Sequence, residues 1–147
     1  MKDFIKQITL NKHIYQVCHR YVNFYRNDNN GNPHANGEFE FLRRYLSNQP
    51  ELLIFDVGAN IGEWTSFAHT LNSDAEIHCF EPCSNTFSVL EKTISNLSSQ
   101  KIKVNHLALG AKPENLEILV YGETSALNSI YNRQVLGQSV AKELIRV

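Results

Sequence analysis

Leu52-Leu-Ile-Phe-Asp56-Val-Gly58-Ala59-Asn60-Ile-Gly62 is the stretch whose reading decides the fold. Residues 52–57 form a nearly continuous apolar run, the pattern of a parallel strand covered on both faces. Residues 62–72 then return to helical spacing through Trp64, Phe67, Ala68 and Leu71, so the acid and the glycines stand where a buried strand gives way to a helix. Glu76-Ile-His-Cys-Phe-Glu81 reads as a second strand and completes a βαβ unit. A second helix follows, with Ser84 as N-cap and Phe87, Leu90, Ile94 and Leu97 facing inward, and Lys101 to Leu107 forms a third strand through Ile102 and Val104. Crossovers between parallel strands are right-handed in nearly all folds, which gives a spatial order of 3-2-1.

Outward from this unit the pattern changes. Upstream, residues 13–26 place Ile14, Val17, Tyr21 and Phe24 at helical spacing, an amphipathic helix expected to pack on its own domain, with a docking face for a partner or membrane as the alternative. Asp28 to Pro33 is dense in turn formers, and Glu38 to Ser47 carries Phe39, Leu42 and Leu46 on one stripe before Pro50 blocks continuation. Downstream, Leu116, Ile118 and Val120 alternate with Glu117, Leu119 and Tyr121, which predicts a fourth strand near an edge. Thr124 to Arg133 reads as a polar loop, and Ser139 to Val147 is open between helix and strand.

The bulk properties exclude several classes. Fourteen basic residues against fifteen acidic ones give a net charge of −1, so no general field draws in nucleic acid or anionic lipid, and neither is expected as a partner. No stretch approaches the roughly 20 apolar residues of a membrane span, and no signal-peptide core follows Met1, so the expected location is cytoplasmic. Cys18, Cys79 and Cys83 make no even framework, and the histidines show no zinc-ligand spacing; inert thiols in a reducing compartment and no metal are expected. His69, His78 and His106 lie on helix or strand positions where packing is the simpler account.

The chemistry sits in the glycine turn. In open α/β sheets the ligand crevice lies outside the carboxyl ends of the strands, and glycine there lets the backbone approach a ligand closely. A dinucleotide fold would show G-x-G-x-x-G to cradle a pyrophosphate. Here the pattern is D-x-G-x-x-x-G, with Asp56 at the strand end, which suits a ligand bearing an ammonium group and no phosphate. Glu81, at the end of the second strand, can accept hydrogen bonds from both hydroxyls of a ribose, a role an acid there also serves for nicotinamide cofactors. Singly, Asp56 reads equally well as a turn-capping acid and Glu81 as a solvated strand end; together they favour a cofactor site.

Phe55-Asp-Val-Gly-Ala-Asn-Ile-Gly62, Phe80-Glu-Pro82 and Ala108-Leu-Gly110, in this order and preceded by Asn36-Gly-Glu-Phe-Glu-Phe-Leu42, resemble the opening motifs of FkbM-family methyltransferases over about residues 36–132. The resemblance implies an α/β, Rossmann-like class I methyltransferase fold with an open, mostly parallel sheet. It implies S-adenosyl-L-methionine as cofactor and O-methylation of a sugar or specialised small metabolite as activity. Residues 1–50 then form an N-terminal helical extension and residues 51–147 a partial Rossmann-like cofactor-binding domain. Carried over by position, it assigns Gly58, Ala59, Asn60 and Gly62 to the loop around the methionine moiety, Asp56 to its amino group and Glu81 to the ribose. Leu107 and Ala108 fall beside adenine, and Thr65 is expected to line the pocket, with an ordinary helix-surface position as the alternative. Ser125 and Ser129 fall where the family has a serine-containing loop near the substrate entrance, with ordinary loop positions the simpler reading.

Family members continue into a strand with an Ile-Asp-Val-Glu-Gly-like motif that nothing after Tyr121 resembles. A truncated domain is therefore expected, with no catalytic residue assigned and with self-association through an exposed sheet edge. Two alternatives stand beside this reading: a non-catalytic cofactor-binding remnant or regulatory module, and an NAD-dependent oxidoreductase, which the missing dinucleotide fingerprint opposes.

Overall fold

A computed structural model describes residues 2–26, 31–47, 49–132 and 140–147. The chain divides into two compact units, Met1–Arg44 and Tyr45–Val147. The first carries α1 (Lys2–Arg26), which extends the helix predicted from residue 13 back toward the N-terminus. The expected packing of its apolar seam does not occur. Ile14, Val17, Tyr21 and Phe24 are all exposed, Phe24 at 85%. Tyr25, on that seam, and Tyr15, off it, are exposed as well, so the helix is apolar on more than one side. α2 (Glu38–Leu46) starts on an Asx turn in which Asn36 Oδ1 accepts the Glu38 N–H at 2.9 Å. It buries Phe39, Leu42 and Leu46, the predicted stripe.

In the second unit β1 (Leu53–Val57), β2 (Glu76–Phe80) and β3 (Ile102–Asn105) form a parallel sheet in the order β1-β2-β3, the predicted 3-2-1 arrangement. The register sets Asp56 opposite Cys79 and Val57 opposite Phe80. The crossovers are α3 (Glu63–Leu71) and α4 (Ser84–Ser95). They cover the face that carries Ile77 and Cys79, both wholly buried together with Thr65, Ala68 and Leu90. Gly62 joins the two helices: its φ of +86° lies in the left-handed region, and a Cβ there would stand 2.9 Å from Leu90 Cδ1.

The opposite face corrects the expectation that the first strand is covered on both sides. Leu53, Phe55 and Val57 are each more than half exposed: β1 is an edge strand among the described residues, and α3 and α4 of the same unit lie on the other face. Phe55 instead meets its neighbours in the sheet, His78 at 5.5 Å and Phe80 at 5.9 Å between ring centroids.

The predicted fourth strand, β4 (Asn115–Val120), pairs antiparallel with β5 (Ala141–Arg146) in a sheet of its own. The last segment, open between helix and strand in sequence, is thus a strand; Ser139, with which that prediction began, and Arg133, the end of the predicted loop, lie outside the described residues. Ile118 and Ile145 pack with Cys83 in a small core that Ala108, Leu116 and Val120 flank, and the Ala108 N–H donates to the Arg146 carbonyl at 2.8 Å. The cap of α4 also differs from expectation. Cys83 is the N-cap, and Ser84, the first helical residue, donates its N–H at 2.9 Å and its hydroxyl at 2.5 Å to Glu143 Oε1 of β5. A carboxylate from a distant strand therefore satisfies the helix end that the serine was expected to satisfy.

Candidate functional site

The ends of β1 and β2 meet in one turn. Gly58 and Ala59 donate their N–H groups to the Phe80 carbonyl at 2.9 and 3.0 Å, and the Gly62 N–H returns to Ala59 O at 2.9 Å. Gly58 at φ +81° and Asn60 at φ +49° occupy the left-handed region, which glycine enters freely and asparagine more readily than most residues. The D-x-G-x-x-x-G spacing is thus the spacing this turn requires.

Glu81 lies beneath the turn, only 6% exposed. Its Oε2 accepts the Asn60 N–H at 3.1 Å and its Oε1 the Cys83 N–H at 2.9 Å. The two bonds fix the carboxylate against the turn on one side and the start of α4 on the other. A carboxylate oxygen accepts more than one hydrogen bond, so this arrangement orients Glu81 and leaves acceptor capacity for ligand hydroxyls.

A cavity of about 180 Å³ opens beside this carboxylate, lined by Gly58, Asn60, Glu81, Pro82 and Cys83 from the strand ends and by Ile118, Ser125, Ala126 and Asn128 from β4 and the loop after it. The Asn60 side-chain oxygen is shielded from solvent and has no hydrogen-bond partner among the described residues. A buried acceptor left in this state costs about 1–3 kcal/mol, which a donor on a bound ligand would recover. Asn128 holds the loop in place: its Oδ1 accepts the Tyr121 N–H at 2.9 Å and its Nδ2 reaches Cys83 Sγ at 3.4 Å. Burial first, and then the nearby Glu81 charge, push the Cys83 thiol up to about 12, so it stays protonated.

Of the residues singled out in sequence, Gly58, Asn60 and Glu81 line the cavity, and Ala59 is buried in the turn behind them. Asp56 lies at the end of β1 with its carboxylate bonded to Thr65, whose hydroxyl donates at 2.5 Å. Thr65 is wholly buried and is not among the lining residues. Leu107 is half-buried, and Ala108 packs against the Cys83, Ile118 and Ile145 core rather than the cavity. Ser125 lines the cavity, whereas Ser129 is taken up in a bridge to Leu119. Sequence reasoning missed Cys83, Ile118, Ala126 and Asn128. Cys83 could have been found from its place directly after Glu81-Pro82; the other three come from some 40 residues further along the chain and carry no local signal. Among the described residues no group of three His, Cys, Asp or Glu side chains is placed to hold a metal ion, and no helix is long and apolar enough to cross a membrane.

The family model of the methyltransferase FkbM domain matches residues 56–144, from the strand-end acid through most of β5. The chain belongs to the FkbM methyltransferase family. It is similar to the 31-O-demethyl-FK506 methyltransferase FkbM of Streptomyces tacrolimicus, 41% identical over 50 residues; the match spans 34% of this chain and 19% of that protein. Among solved structures it is similar to a methyltransferase FkbM from Methylobacillus flagellatus KT, with 16% identity, a TM-score of 0.41, and coverage of 57% of this chain and 28% of that one. An rRNA methylase from Streptococcus thermophilus aligns with 17% identity and a TM-score of 0.41 over 48% of this chain and 40% of that one.

Proposed function

We propose that this FkbM-family chain binds S-adenosyl-L-methionine at the ends of β1 and β2, as the cofactor-binding part of an O-methyltransferase whose acceptor is a hydroxyl of a sugar or specialised small metabolite. One observation supports the reading: two acids, Asp56 and Glu81, stand at the ends of adjacent parallel strands, joined by a left-handed glycine turn whose Asn60 presents a buried acceptor with no partner among the described residues beside a cavity. The ligand this favours has donors and positive charge rather than phosphate. Asp56 serves its amino group, Gly58, Ala59, Asn60 and Gly62 shape the loop around its methionine part, and Glu81 accepts from its ribose hydroxyls. Leu107 and Ala108 mark the adenine side. The cavity is smaller than the roughly 300 Å³ at which ligand pockets begin, so full occupancy requires the loop of Ser125, Ala126 and Asn128 to move outward.

When bound, such a cofactor supplies an activated methyl on a sulfonium. The protein's part is to hold it in line with the acceptor oxygen, and a base helps to remove the hydroxyl proton. The residues described here orient the cofactor; none is assigned as that base.

Calorimetric titration tests the reading. S-adenosylhomocysteine is expected to bind with measurable heat and NAD to give none; equal or stronger NAD binding would overturn it. Glu81→Ala is expected to weaken S-adenosylhomocysteine binding by about 1.5–3 kcal/mol, the scale of hydrogen bonds to a charged group. An unchanged affinity would remove Glu81 from the site.

A further inference from the structure

Beneath the turn, on the covered face of the sheet, three side chains meet. Asp56 on β1 and Cys79 on β2 are opposite one another in the register, and Thr65, in the first turn of α3, reaches between them. Thr65 Oγ1 stands 2.5 Å from Asp56 Oδ2 and 3.1 Å from Cys79 Sγ. Thr65 and Cys79 are both wholly shielded from solvent. A threonine hydroxyl has one proton, and a carboxylate at this distance can only accept it, so the bond to sulfur must run the other way: the Cys79 thiol donates to Thr65 Oγ1. Burial first, and then the neighbouring Asp56 charge, raise the thiol to about 11 against the lowering effect of Thr65, which keeps its proton in place at neutral pH.

We infer that Cys79, Thr65 and Asp56 form a buried donor chain, thiol to hydroxyl to carboxylate, that holds the Asp56 carboxylate in the orientation in which it meets the cofactor's ammonium group. Thr65 and Cys79 are positioning residues: both are wholly buried and act through Asp56, which is half-buried at the end of β1, outside the lining of the Glu81 cavity. The inference rests on the cofactor reading above and adds to it why a strand-end acid can serve as a fixed acceptor. Its rotamer is set from below by a hydroxyl that is itself oriented by a second donor, and bonds in such a series polarise and strengthen one another. Packing alone would not need the hydroxyl, since valine has nearly the same shape as threonine.

That difference is the test. Thr65→Val keeps the shape and removes the donor, whereas Thr65→Ser keeps the donor and removes a methyl. With the fold checked by circular dichroism, Thr65→Val is expected to bind S-adenosylhomocysteine about tenfold more weakly than the wild type, and Thr65→Ser within about threefold; tenfold corresponds to ~1.4 kcal/mol. Wild-type affinity in Thr65→Val, or a loss in Thr65→Ser as large as in Thr65→Val, would overturn the inference. Infrared spectroscopy reads the chain without ligand. The Cys79 S–H stretch, assigned by its absence from Cys79→Ala, is expected at lowered frequency in the wild type and at the free-thiol position in Thr65→Val; a free-thiol band in the wild type would also overturn the inference. Should Thr65→Val not fold, Cys79→Ala carries the binding test, with an expected loss of about threefold from the missing outer donor and unchanged affinity as the contrary result. Wild-type protein that binds no S-adenosylhomocysteine would remove the cofactor reading itself, and with it the task assigned to the chain. Binding that is lost in Asp56→Asn but unaltered in Thr65→Val would leave that reading standing and remove only the donor chain.

Discussion

The two faces of the parallel sheet differ in composition and in surroundings: the register puts Ile54, Ile77, Cys79, Ile102 and Val104 on one, and Leu53, Phe55 and Val57 together with Glu76, His78 and Lys103 on the other. On one face Ile77 and Cys79 are wholly buried under α3 and α4, and the packing continues to the donor chain that reaches Asp56. On the other, Leu53, Phe55 and Val57 are more than half exposed, and Phe55 touches only other members of the sheet in the contacts described. The comparison teaches that an apolar run states how many covers a strand is suited to, while the neighbouring segments decide how many it has. It also separates two kinds of burial energy. Residues under the helices hold the fold together; those on the open face contribute little to it and leave a strand edge able to pair with another chain.

The largest expected effect lies on the covered face. Leu90→Ala removes a wholly buried side chain next to Gly62 and is expected to cost about 2–5 kcal/mol of stability, measured by urea unfolding. A cost as small as that of a surface substitution would mean that the helices do not anchor this face.

An intermediate effect concerns pH. The Cys79 and Cys83 thiols are raised from 9.0 to about 11 and about 12, chiefly by burial. Their folded values lie above the unfolded ones, so the stability they contribute is complete below pH 9 and is lost as pH rises toward 11 and 12. At pH 8, labelling with a thiol reagent is expected to modify exposed Cys18 quickly and Cys79 and Cys83 only on unfolding. Fast modification of all three would contradict the burial of this face.

The smallest effect on stability is expected on the open face. Phe55→Lys, at a position 55% exposed, should change unfolding free energy by no more than about 0.5 kcal/mol. It should nevertheless matter for association. No lysine, arginine or proline lies within Leu53 to Val57 to discourage edge pairing, so the wild type is expected to show concentration-dependent light scattering that Phe55→Lys abolishes. A wild type that is monomeric throughout the micromolar range would remove self-association through β1 from the account.

The same contrast explains what was legible in the sequence. The βαβαβ order, the strand-end position of Asp56 and Glu81, and the glycine turn could be read because each rests on local chemistry: an apolar run, a helical period, residues that tolerate left-handed φ. The bare face of β1 could not, because nothing within Leu52 to Val57 records whether a cover is present. Residues 141–146 were ambiguous for a related reason, as their strand form depends on antiparallel pairing with β4 more than 20 residues earlier. Thr65 was expected to line the pocket and is instead buried between Asp56 and Cys79, a placement no local pattern records, since these two partners lie on different strands and meet only in the folded register. The seam of α1 was a period without a surface to meet.

The central claim is that the ends of β1 and β2, and not the open face of the sheet, take the cofactor. Amide chemical-shift mapping by NMR during titration with S-adenosylhomocysteine tests it most directly. The account predicts large, saturable shifts at Gly58, Ala59, Asn60, Gly62 and Cys83, with Leu53 and Phe55 unmoved. Shifts centred on Leu53, Phe55 and His78, or no shift at the glycine turn at saturating ligand, would contradict it.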